Sequence, residues 1–209
     1  PAAQVADKSY ICDMLDGEKL QTLIESLDVD IIVPEIEAID TKILYSLEEK
    51  GKQVVPSAKA VNMTMNRDEI RNRASELGLK TAKFSYAENC EEYISKIKKY
   101  EYPFVVKPIM SSSGKGQTIV QDVEESSYAW HYAMDNARGK SKKVIIEEFI
   151  DFDYELTLLA IKTNDSIKMC YPIVHYQEKG DYQWSVQKQS DEINALLPKL
   201  HHMASIIVN

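Results

Sequence analysis

Cysteine is scarce in this sequence, and its placement excludes more than its number. Cys12, Cys90 and Cys170 are the only three among 209 residues; they lie far apart, and none belongs to a C-x-x-C pair. A disulfide framework and a cysteine zinc site are therefore not expected; reduced thiols in a cytoplasmic protein are. Long apolar runs are missing too. No stretch reaches the roughly 18 apolar residues of a membrane-spanning helix, and none has the pattern of a signal peptide. There is no internal repeat and no low-complexity segment. Positive charge is in deficit: the net charge is −8, which argues against a broad nucleic-acid or membrane surface, so any phosphate site must be local. No His and carboxylate spacing suits a metal, and no Ser-His-Asp or Cys-His set can be assigned.

What remains is the composition of a globular protein, 44% hydrophobic and 28% charged, long enough to bury a real core in one large or two small domains. Residues 9–11 read as a short strand. Asp16 can cap a helix over 18–27, with Leu20, Leu23, Ile24 and Leu27 on one face. A compact apolar strand follows at 31–33, then a helix over 40–50 stopped by Gly51, then a strand at 53–55 ended by Pro56. This alternation is an α/β half-domain. Residues 57–65 read as a linker. Asn66 can cap a helix over 67–77, with Gly78 as its C-terminal stop. Strands are expected at 83–87, 104–106, 143–146, 154–162 and 167–174, and helices over 91–100 and 124–136. Leu196, Leu197, Leu200, Met203, Ile206 and Ile207 recur at helical spacing up to Asn209, as expected of a chain that continues.

The stretch 104–118 organises the chain. An apolar strand ends in Lys107 and Pro108, three serines and Gly114-Lys115-Gly116 follow, and 117–120 reads as a returning strand. Glycine lets a backbone approach a polyphosphate and aim N–H groups at it, and Lys107 and Lys115 add charge. The other reading is a flexible hairpin tip. A P-loop is excluded, because Ile109 and Gly116 stand where it needs glycine and a hydroxyl residue. A dinucleotide fingerprint is excluded because this G-x-G leads into a strand. Elsewhere, Glu35 and Glu37 follow a strand end, where ligands bind in open α/β sheets; a solvated loop is the alternative. Arg67 in a first helical turn opposes the macrodipole, so it either meets an outside anion or sits in solvent. Glu155 opens an otherwise apolar and Thr-rich strand and requires water or a ligand.

Several runs carry a more specific resemblance. They are Asp13-Met14-Leu15-Asp16-Gly17, Val33-Pro34-Glu35-Ile36-Glu37-Ala38-Ile39, Thr64-Met65-Asn66-Arg67, and Tyr102-Pro103 with Val106-Lys107-Pro108. The serine–glycine run from Met110 to Thr118 and the stretch from His175 to Tyr182 complete them. Together, over nearly the whole chain in one register, they resemble the formate-dependent phosphoribosylglycinamide formyltransferases, ATP-grasp ligases of purine synthesis. The resemblance implies the C-terminal part of a Rossmann-like N-terminal domain over 1–56, then an incomplete ATP-grasp domain over 57–209. Within the latter, 57–65 is the linker, 66–142 the first part and 143–209 the start of the second.

The implied reaction is ATP-dependent formylation of 5-phosphoribosylglycinamide (GAR) through formyl phosphate. By position, Glu35 would bind GAR, and Arg67 and Lys107 the ATP phosphates. Ser112, Ser113, Gly114, Lys115, Gly116 and Gln117 would form a flap. Glu147, Glu148, Phe149 and Ile150 would line the adenine pocket, and Glu155 would hold the ribose. Magnesium is implied as well, with its acidic ligands beyond Asn209, and a strand and glycine loop for GAR before Pro1; a chain lacking both is expected to be inactive alone. The family implies a cytoplasmic homodimer with no nucleic-acid or membrane partner. Gln183-Trp184-Ser185-Val186-Gln187-Lys188 departs from the family's usual Ser-Trp-Gln-Pro run. An ATP-grasp carboxylase and a non-catalytic ATP-binding module are the alternatives.

Overall fold

The computed structural model describes residues 2–36, 38–111, 114–138, 143–163, 165–178 and 181–208. The chain forms two compact units: Pro1–Arg71 with Lys83–Phe149, and Asn72–Ala82 with Ile150–Asn209.

The first unit opens with strand–helix alternation. In order come α1 (Gly17–Ser26), β1 (Ile31–Ile32), α2 (Thr41–Glu49), β2 (Gln53–Val54) and α3 (Ala58–Met65). β1 and β2 are parallel, with Ile31 opposite Gln53 and Ile32 opposite Val54. Each helix begins where a side-chain oxygen can accept from an otherwise unpaired amide: Asp16 accepts from Lys19 N, Asp40 from Lys42 N and Ser57 from Ala60 N. Gly51 ends α2 in the left-handed region at φ 83°, and its N–H donates to Glu48 O at 2.9 Å. The apolar faces meet in a cluster of Leu20, Ile39, Leu44, Val54, Ala58 and Val61.

Two differences from the sequence reading appear here. The segment 57–65, expected as a linker, is helical, because Ser57 caps it and Ala58, Val61 and Met65 repeat at helical spacing against that cluster. The strand expected at 9–11 is absent: Tyr10 and Ile11 are exposed and pair with no strand among the described residues.

α4 (Arg67–Glu76) follows, and then a second layered assembly. It comprises β3 (Phe84–Ala87), α5 (Cys90–Ile97), β4 (Phe104–Pro108), β5 (Thr118–Val120), α6 (Val123–Asp135) and β6 (Val144–Glu148). The strands form a four-stranded antiparallel sheet in the order β3-β6-β4-β5. Successive side chains point to opposite faces, so the register divides the strands. Ala87, Phe104, Val106, Val120, Val144 and Ile146 pack on Tyr93 of α5 and on Ala129, Trp130 and Ala133 of α6. Burying each of the larger apolar side chains contributes about 1.5–3 kcal/mol. Val105 opposite Glu147, and Lys107 opposite Ile145, belong to the other face.

In the second unit, β7 (Glu155–Thr157), β10 (Ile173–Glu178) and β11 (Asp181–Val186) form an antiparallel sheet in the order β11-β10-β7. β8 (Ala160–Lys162) pairs separately with β9 (Ile167–Met169). The strand expected over 154–162 is therefore two strands with different partners. α7 (Asp191–Val208) starts before its leucine-rich face, because Ser190 Oγ accepts from Ile193 N at 3.2 Å and Asp191 and Glu192 occupy the first turn.

Candidate nucleotide site

The face of the four-stranded sheet that carries Val105 and Ile145 also carries an ion triad. Glu147 is 2% exposed. Its Oε1 accepts from Arg71 Nε at 2.6 Å, and its Oε2 lies 2.8 Å from Lys107 Nζ. Burial pushes the Glu147 carboxyl up, but the Lys107 ammonium and the Arg71 guanidinium outweigh it and hold the group below its ordinary range. Beside the triad, Lys143 Nζ lies 2.9 Å from Asp68 Oδ2 and 4.5 Å from the centre of the Tyr86 ring. Burial first, and then the Asp68 charge, push the Tyr86 hydroxyl up to about 12.

The glycine hairpin springs from the end of β4. Gly114 and Gly116 have φ of 69° and 75°, where glycine alone is unstrained, and Gln117 N donates to Gly114 O at 3.1 Å. A Cβ on Gly116 would stand 3.0 Å from Pro108 Cγ and 3.1 Å from Asn136 Cβ, whereas one on Gly114 would meet nothing within 4 Å. The first glycine is thus demanded by the turn alone, and the second by the turn and by close packing. Lys115 and Gln117 are exposed. Ser112 and Ser113 lie outside the described residues.

Arg67 anchors the root of this hairpin. Its NH1 donates to Pro108 O at 2.9 Å, and its backbone N–H donates to Ile109 O at 3.2 Å. The first turn of α4 is thereby fixed to the end of β4. At the far end of β6, Glu148 is bonded twice to Lys83: its N–H donates to Lys83 O at 2.9 Å, and its Oε1 accepts from Lys83 N at 2.7 Å. Phe149 and Ile150 follow the strand and are exposed.

The structure thus brings Arg67, Lys107, Gly114, Lys115, Gly116 and Gln117 onto one strand–hairpin–strand element and its anchoring helix. Glu147 and Glu148 lie on the adjoining strand, and Phe149 follows it. Glu35 is not among them; it is exposed in the loop after β1, and Glu37 lies outside the described residues. Glu155 belongs to the second unit, at the start of β7, where Gln177 Nε2 donates to its carboxylate. Near it, His175 is held between Ser185 Oγ at 2.6 Å and Thr157 Oγ1 at 2.9 Å. Sequence reasoning missed Arg71. The available signal was its spacing, one helical turn after Arg67 and hence on the same side of α4. Among the described residues, no group of three His, Cys, Asp or Glu side chains could hold a metal ion, and no helix is long and apolar enough to cross a membrane.

The model of the ATP-grasp domain matches residues 72–209. The formate-dependent phosphoribosylglycinamide formyltransferase of Hydrogenovibrio crunogenus is 50% identical over 194 residues, covering 91% of this chain and 49% of that protein. The chain spans about half the length of the curated relatives it matches. Among solved structures, the ADP complex of N5-carboxyaminoimidazole synthetase from Staphylococcus aureus has a TM-score of 0.81 at 18% identity, over 99% of this chain and 52% of that one. Glycinamide-RNase-transformylase T from Mycobacterium tuberculosis has a TM-score of 0.72 at 25% identity, over 100% and 56%.

Proposed function

Because the chain belongs to the ATP-grasp family, we propose that it supplies the nucleotide-binding part of a formate-dependent phosphoribosylglycinamide formyltransferase of purine synthesis. The observation that carries the proposal is the 50% identity to a relative of that name across 91% of the chain. The site's geometry supports it, with a cationic glycine hairpin on the strand that carries Lys107.

In the proposed reaction an oxygen of formate attacks the γ-phosphorus of ATP, ADP leaves, and formyl phosphate forms. The amine of GAR then attacks the formyl carbon, phosphate departs and the amine loses a proton. Activation comes from turning a poor leaving group into a good one. The protein's share is position and charge. Lys107 spends one N–H on Glu147 and offers the others to phosphate oxygens. Arg67 fixes the hairpin root and contributes its charge. Residues 112–117, with Ser112 and Ser113 among them, close over the phosphates with backbone N–H groups, hydroxyls and Lys115. Glu147, Glu148, Phe149 and Ile150 border the adenine, Glu155 takes the ribose hydroxyls, and Glu35 binds GAR. Magnesium would supply further neutralisation of phosphate charge when bound; no acid set among the described residues suits it. We assign the complete protein to the cytoplasm as a homodimer, with formate, GAR and ATP as its small-molecule partners.

The test is formate- and GAR-dependent ADP release by this chain and by a version extended to the length of its relatives. Turnover by the extended protein that needs both substrates supports the proposal. Turnover with bicarbonate in place of formate would move the assignment to an ATP-grasp carboxylase. ATP binding without turnover in either would leave a binding module.

A further inference from the structure

We propose that Glu147 acts through its side chain as a positioning residue, holding the Lys107 ammonium in place for the nucleotide's phosphates, while Arg71 fixes the carboxylate from the other side. The inference rests on the reading of Lys107 as a phosphate contact.

Three observations carry it. Glu147 is closed to solvent, with its side chain 3% exposed, whereas those of Lys107 and Arg71 are 21% and 29% exposed. One buried anion with two cations leaves a surplus positive charge, and that surplus is on the parts open to solvent. A tie between α4 and the sheet requires only Arg71 and Glu147; the second cation exceeds it. Finally, among the described residues Glu147 is the only acidic partner of Lys107. Lys107 sits on a strand beside Val105 and across from Ile145, on a stem with several rotatable bonds. Without a fixed counter-charge, the ammonium would sample many rotamers and lose the advantage of being placed before the ligand arrives. Arg71 keeps the carboxylate from following Lys107 outward, because its Nε takes the other oxygen.

The test compares ATP and adenosine binding to this chain, ATP by calorimetry and adenosine by NMR titration. The variants are Glu147→Gln, Lys107→Met, and the two together, each with a thermal melt. Expected for Glu147→Gln is an ATP affinity reduced about tenfold more than its adenosine affinity, and a double variant that binds ATP no more weakly than Lys107→Met alone. A purely structural role would weaken both ligands equally, and independent roles would make the two losses add; either result overturns the inference. If Glu147→Gln does not fold, Arg71→Gln leaves Glu147 one cation and must still weaken ATP selectively, and equal weakening of both ligands again overturns it. If Lys107→Met keeps full ATP affinity, the phosphate reading of Lys107 has failed. That is distinguishable from a failure of positioning, in which Lys107→Met is weak and Glu147→Gln is not.

Discussion

Alanine at Gly116 will cost more stability than alanine at Gly114, although both glycines have nearly the same left-handed φ, 75° and 69°. Forcing a residue with a Cβ into that region costs about 1–2 kcal/mol. Restricting the unfolded chain returns about 0.4–1 kcal/mol at either position. At Gly114 nothing else enters, because the added Cβ meets open space, and the net loss is about 1 kcal/mol. At Gly116 the Cβ would press on the Pro108 ring at 3.0 Å and on Asn136 Cβ at 3.1 Å. Pro108 is buried at the end of β4, so the ring cannot swing away. Overpacking of that kind adds about 1–3 kcal/mol. Urea denaturation of the two variants at equal m-value reads the difference directly. Equal midpoints, or a larger loss at Gly114, would show that the hairpin does not seat against Pro108 as described.

Tyr93 is 1% exposed and its hydroxyl donates to Ser126 O at 2.9 Å. Tyr93→Phe should cost about 0.5–1.5 kcal/mol by removing that hydrogen bond, since Ser126 O keeps its place in the ladder of α6, and Tyr93→Ala about 3–5 kcal/mol, both by denaturant titration. Glu147 has its folded pKa held below the ordinary 4.5. Its contribution is complete above that value and is lost as pH falls toward the lowered one, so the acid limb of a stability profile should flatten in Glu147→Gln. Tyr86 runs the other way. Its folded pKa is raised from 10.0 to about 12, so its contribution is complete below 10.0 and is lost as pH rises toward 12. Alkaline denaturation should therefore begin less steeply in Tyr86→Phe.

Local signals account for much of the fold. Asp16, Asp40 and Ser57 announce helix starts because a capping oxygen acts within three residues of itself. Gly51 and Gly78 announce helix ends for the same reason, since each takes a left-handed φ that its own lack of a Cβ permits. What local signals cannot supply is a pairing partner. Residues 9–11 have strand composition and, among the described residues, no strand paired with them, and 154–162 has the composition of one strand but serves β10 with its first half and β9 with its second. α3 was legible in principle, but a helix starting right after a strand-ending proline reads as a linker until its apolar face is given a core to meet.

The same distinction separates the hairpin from the triad. The hairpin is contiguous, so Gly114 and Gly116 mark its turn whatever surrounds them. Arg71 and Glu147 are 76 residues apart and lie on a helix and a strand that meet only in the folded chain. In sequence, Arg71 is one more cation on a polar helix and Glu147 one of two acids ending an apolar strand. Only the register of β6 against β4 settles which acid turns inward: Glu147, opposite Val105, shares the face of Lys107, and Glu148, opposite Phe104, does not. Shifting that register by one residue would put Glu148 beside Lys107 and turn Glu147 toward the helix-packed core. The charge arrangement at the site is therefore fixed by the packing of Phe104, Val106 and Ile146 on the opposite face, a dependence that lies in the fold and not in any motif.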